Sequence, residues 1–148
     1  MTGTTFSLQG DVTFDTDSSG TDGNITLNIG VRSNIADSNR NLTLHSGDGD
    51  IINNGLLGTG EARRLGRLTL DTNGTATLDG AYAEGLFLQK DGTGTLVLNA
   101  LNSFDADTVI NSGTVKLGVA NAIPDGSNVQ LAAAAMLDLN GHSEAINA

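Results

Sequence analysis

A chain of 148 residues with 17 acidic and 7 basic side chains, net charge −10, has length for one domain and no basic stripe with which to hold nucleic acid. Hydrophobic residues make up 38% and aromatics 3%, beside 20 glycines and no cysteine. That excludes a disulfide frame, a thiolate metal site and a cysteine nucleophile, and it leaves too few large side chains for a thick globular core.

The opening, Met1 to Gly10, has neither the basic start nor the apolar run of a signal peptide, so an exported parent is expected to carry its signal elsewhere. No stretch approaches the roughly eighteen apolar residues of a spanning helix. The first alternating triplet is Val12-Thr13-Phe14, a period of two that predicts a short strand with one buried face. An acidic loop follows, in which Asp15, Asp17, Ser19, Thr21 and Asp22 set oxygens around Gly20 as a calcium loop does. Thr26 stands where an EF-hand loop has its closing Glu, and no helices flank the loop, so a solvated acidic loop is the simpler reading.

Strands are predicted next at Ile25-Thr26-Leu27-Asn28-Ile29 and Leu42-Thr43-Leu44. His45, Ser46 and Asp48 are neighbours in sequence, but adjacent strand residues point to opposite faces and no nucleophile elbow surrounds Ser46. His142 lies far along the chain from His45. The Gly-Asp pairs of Ser46 to Asp50 are too few for a calcium-binding nonapeptide repeat. Arg63, Arg64 and Arg67 are the nearest thing to a basic cluster and read as a solubilising loop. If the chain binds anything, side loops such as Gly58–Arg67 are expected to make the contact.

Further triplets begin at Leu68, Ala76, Leu86, Leu96, Val115, Val129 and Leu137. Among them, Gly74–Leu78, Gly94–Leu98 and Gly113–Leu117 repeat one five-residue pattern. Self-similarity at about twenty residues is the mark of a solenoid and favours it over a sandwich or barrel. The expected fold is all-β, a right-handed parallel β-helix with about 20 residues per rung and six or seven turns at most for this length. Leu78, Leu98 and Leu117 are expected to form one inward ladder, with Ala76, Leu96 and Val115 beside it and Thr77, Val97 and Lys116 facing out. Between two copies, Asp105 and Asp107 flank Ala106 before a strand at Thr108-Val109-Ile110, and they read as corner residues. The stretch from Ala132 to Leu139 is the only helix-compatible one, and its end, Leu137-Asp138-Leu139-Asn140-Gly141, fits a strand and turn better.

From Lys90 to Ile146, the run KDGTGTLVL, NSF, TVINSGTVKLG, AIPDGSNVQL and MLDLNGHSEAI resembles the passenger-associated transport repeat of bacterial autotransporters. Asp105-Ala106-Asp107-Thr108 stands where that family commonly carries a Gly-x-Thr turn. Residues 41–89 are similar to repeats of haemagglutinin-like secreted proteins, while residues 1–40 match no motif; all 148 residues are expected to form one β-helix segment. The resemblance implies a secreted or surface-displayed passenger, exported across the outer membrane, that serves as stalk or adhesin scaffold and assists folding and secretion. Its implied partners are a translocator barrel of the parent protein and a host or surface glycan or protein ligand. The open ends of such a solenoid are expected to favour end-to-end self-association.

Two other classes compete. A polysaccharide-degrading enzyme or carbohydrate-binding module on a β-helix would draw on Asp79, Asp105, Asp107 and Lys116, although such enzymes build clefts from large side loops. An ice-binding threonine face would use Thr75, Thr77, Thr93, Thr95 and Thr114, but the β-propensity of threonine explains them. No catalytic residue, cofactor or metal ligand is assigned, and Asp105→Ala and Asp107→Ala are expected to leave stability nearly unchanged.

Overall fold

A four-residue strand with two inward apolar side chains cannot hide them alone, so the chain coils and each strand covers the last. The computed structural model describes residues 5–17, 21–34, 39–58, 64–79 and 86–147. On face one lie β2 (Val12–Asp15), β5 (Arg40–His45), β7 (Leu65–Asp71), β9 (Phe87–Asp91), β11 (Thr108–Ile110) and β13 (Val129–Leu131). Face two holds β3 (Ile25–Leu27), β6 (Ile51–Asn53), β8 (Thr75–Leu78), β10 (Thr95–Leu98), β12 (Thr114–Leu117) and β14 (Met136–Asp138). Face three has β1 (Thr5–Leu8) paired with β4 (Gly30–Ser33), and a bridge from Val31 to Leu57 carries it one coil further. These pairings are parallel, which makes the fold a β-solenoid.

The expected register holds residue for residue. Leu98 pairs with Leu78 and Leu117, Leu96 with Ala76 and Val115, and Val97 with Thr77 and Lys116. The two apolar rows are completely buried. Thr95 stands between Thr75 and Thr114 as an outward row, but Met136 replaces threonine in the next coil. On face one the inward rows are Leu42, Leu68, Leu88, Thr108, Val129 and Leu44, Leu70, Lys90, Ile110, the second continuing in register to Leu131, which is exposed. Phe104 and Ile123, both fully buried, fill the third side of the later coils in place of a strand.

The coil length departs from the expectation of about 20 only in the early coils. Partners are 26 and 25 residues apart in the first coils (Thr26, Ile52, Thr77), then 20 and 19 apart (Thr77, Val97, Lys116). The early coils are longer because they include third-face strands and wider corners; the average is about 22 residues over about 5 turns, within the six or seven allowed. β1, β4 and β6 also escape the triplet reading, since Ile51-Ile52-Asn53 and Gly30-Val31-Arg32-Ser33 lack clean alternation.

Tight stacking brings corner backbones together and dictates glycine. Gly113 has φ +69°, and a Cβ built there would stand 2.2 Å from the Gly94 carbonyl oxygen. Gly126 faces open space. Gly113→Ala is expected to cost about 2 kcal/mol or more and Gly126→Ala almost nothing, a contrast read from paired thermal melts. Similar melting temperatures for the two would show that the corner relaxes.

Candidate functional site

The chain turns from face one to face two at a corner whose inner carbonyls need donors. In the second coil the buried Ser46 Oγ donates to the Gly49 carbonyl at 2.8 Å. One coil on, Thr72 Oγ1 donates to the same oxygen at 2.6 Å. The register Asp71–Asp91 then sets Gly92 above Thr72. Gly92 has φ +71°, and a Cβ there would lie 2.3 Å from the Thr72 oxygen, so no hydroxyl residue fits.

Lys90 supplies what Gly92 lacks. It occupies an inward position between Leu70 and Ile110 and is completely buried. Its ammonium donates to the carbonyls of Gly92 at 2.8 Å, Thr72 at 3.4 Å and Asp91. From the next coil, Ser112 Oγ donates to Gly92 at 2.8 Å. Burial pushes the Lys90 ammonium down to about 8, while the nearby carboxylates of Asp71 and Asp91 pull the other way. Sequence reading treated Lys90 only as the first residue of a motif. The available signal was parity: Leu88 faces inward, so Lys90 must too, and the glycine two residues on leaves room for its head.

Outside the corners, carboxylates are tied by amides from the following coil. Asn73 donates to Asp48 at 3.1 Å, Asn99 to Asp79 at 2.8 Å and Asn111 to Asp91 at 2.7 Å. Asp107 accepts from Asn128 at 2.8 Å and from Gln130 at 3.1 Å. Like charges stacked in adjacent coils repel, and except where Asp71 stacks on Asp91 a neutral amide above the carboxylate donates instead. Asp11 follows the same rule. The backbone N–H of Asn41 holds its carboxyl below the usual range, with the Asn41 amide and Arg40 adding to the effect.

The positions weighed as sites fall into this scheme. In the acidic loop, Ser19 and Gly20 lie outside the described residues. Asp15 and Asp17 each stand 3.5 Å from the His45 imidazole and Asp71 stands 3.8 Å from it, while Asp22 accepts the Asp48 N–H at 2.7 Å. Among the described residues, no group of three or more His, Asp or Glu is arranged to hold a metal. Ser46 points inward and His45 outward. His142 sits in the last turn, its N–H donating to Leu139. Asp79 and Asp107 are engaged by different coils, each with amide partners, and Lys116 faces out from face two.

Residues 88–117, which span most of β9 through β12 and include Lys90, match the family model of the passenger-associated transport repeat. Over 127 residues the chain is also 32% identical to the Adhesin BmaC autotransporter of Brucella suis biovar 1 (strain 1330), an alignment that covers 83% of this chain and 3% of that protein. The chain thus spans a small fraction of the length of the curated relative it matches. No solved structure matches. The β-solenoid is thus similar in sequence to autotransporter passengers, and the similarity implies export across the outer membrane to the cell surface.

Proposed function

We propose that this segment is a non-catalytic stalk, a β-solenoid scaffold of a displayed passenger whose transport repeat assists folding and secretion. The observation that carries the reading is continuity. β6, β8, β10 and β12 run in one register from the earlier coils through the transport repeat, and their inward rows do not break at the junction. Such a repeat adds a coil to the stack. Two of the three carboxylates that an enzyme would draw on are held by amides: Asp79 by Asn99, and Asp107 by Asn128 and Gln130. The scheme 1–40, 41–89 and 90–146 then describes rungs of one body.

Deleting 88–117 from the parent passenger tests this by surface display. The expected result is several-fold less protease-accessible passenger on intact cells, with an unchanged amount of transcript. Normal display of the deleted passenger would remove the role in secretion. Turnover of a plant or bacterial polysaccharide by the purified chain would remove the non-catalytic reading.

A further inference from the structure

All the arginine of this acidic chain, Arg32, Arg40, Arg63, Arg64 and Arg67, falls between β4 and β7. Arg63 lies outside the described residues, as do Asp37 and Glu61, the acids of the same two connections. By sequence alone, the two connections balance to zero, and Arg32, Arg40 and Arg67 on the flanking strands supply the positive excess in a chain of charge −10. The carboxylates of Asp15, Asp17, Asp48, Asp71 and Asp91 collect at the opposite end of face one, where it turns into face two. The surface is therefore divided, with arginine where face three passes into face one.

The four described arginines are set there by register. Arg32 projects from β4 opposite Ser7, between the inward Val31 and Ser33. Arg40 opens β5 opposite Leu65, beside which Arg64 enters β7. Arg67 is exposed, and its guanidinium carbon lies 4.7 Å from the centre of the Phe87 ring. The Nε atoms of both Arg32 and Arg40 are shielded from water and have no hydrogen-bond partner. Such inner donors carry a desolvation cost, and a guanidinium pairs with an oxyanion in bidentate fashion through its outer nitrogens.

We infer that this arginine corner docks a polyanionic glycan, with sulfate or carboxylate oxygens on the guanidiniums of Arg32, Arg40, Arg64 and Arg67. The footprint is short. On the row that contains Arg67 and Phe87, Asp11 and Asn41 lie to one side and Asp107 to the other. A nucleic acid carries charge all along its length and would meet these acids, whereas a few sulfated sugars fit between them. The inference deepens the display reading, since a surface scaffold meets glycans.

The test is calorimetric titration of the purified 148-residue chain with heparin as the probe. Saturable binding that weakens as salt rises is expected. Arg64→Gln combined with Arg67→Gln is expected to weaken it roughly tenfold or more, and Lys116→Gln on face two to leave it unchanged, with circular dichroism melts showing that all variants fold. No saturable binding, an equal loss with Lys116→Gln, or equally tight binding of duplex DNA would each overturn the inference. Because the purified chain is used, a negative result here leaves the display assay to stand or fall separately.

Discussion

Leu98→Asp is expected to abolish cooperative thermal unfolding, whereas Asp107→Ala melts within a few degrees of the parent chain. Leu98 is fully buried and lies between Leu78 and Leu117 on one inward row. Losing a buried leucine costs about 3–5 kcal/mol, and a carboxylate left there without a partner adds several more. The sum reaches the whole stability of a typical domain, about 5–15 kcal/mol. A solenoid has no second core to fall back on, since each coil is held by its two neighbours. Asp107 differs because its neighbours are amides at the rim: removing it frees Asn128 and Gln130 to water and costs about 1 kcal/mol, a few degrees of melting temperature. That exceeds the nearly silent substitution expected from sequence, which could not show that the next coil bonds to this carboxylate. Circular dichroism melts decide the contrast, and equal melting temperatures for the two variants would dismiss the inward ladder as the main source of stability.

What the sequence made legible follows from the period of its pattern. A five-residue unit repeated with identical parity determines both which side chains face in and which residue stacks on which, so Ala76, Leu96 and Val115 could be aligned by inspection. The third face was not legible, because β4 holds glycine and arginine and its partner lies 25 residues back, from Thr5 to Gly30, where no repeat marks the register. Corner chemistry was half legible. Gly113 announced a turn, but the pairing of Asp48 with Asn73, or Asp91 with Asn111, joins residues on different coils. Such pairs become visible only after the register is known. The arginine corner was read as a loop for the same reason: Arg40 and Arg64 are brought to one corner by pairing across 25 residues, Arg40 with Leu65, and not by sequence proximity.

Lys90→Met is expected to destabilise the chain by about 2 kcal/mol at pH 7 and by more at pH 10. Methionine fills the channel between Leu70 and Ile110 and avoids burying a charge, which by itself would favour the variant. Against that, it offers no donor to the carbonyls of Asp91, Gly92 and Thr72, and hydrogen bonds from charged groups contribute about 1.5–3 kcal/mol each. The ammonium titrates at about 8, still above neutrality, so at pH 7 the buried group keeps its proton and donates to the corner carbonyls, although lost hydration is the larger influence on its titration. The pH dependence follows from the same displacement. Below about 8 both folded and unfolded chains hold the proton, and the cost of burying the charge is felt in full. Between about 8 and the unperturbed 10.5 the unfolded chain holds more protons than the folded one, so parental stability rises with pH. Methionine cannot titrate, so the gap between the two proteins widens across that window. Urea denaturation of both proteins at pH 7 and pH 10 measures it. A variant as stable as the parent at pH 7 would mean that the corner carbonyls find other donors, and a gap that stays constant with pH would mean that the buried amine keeps its proton throughout.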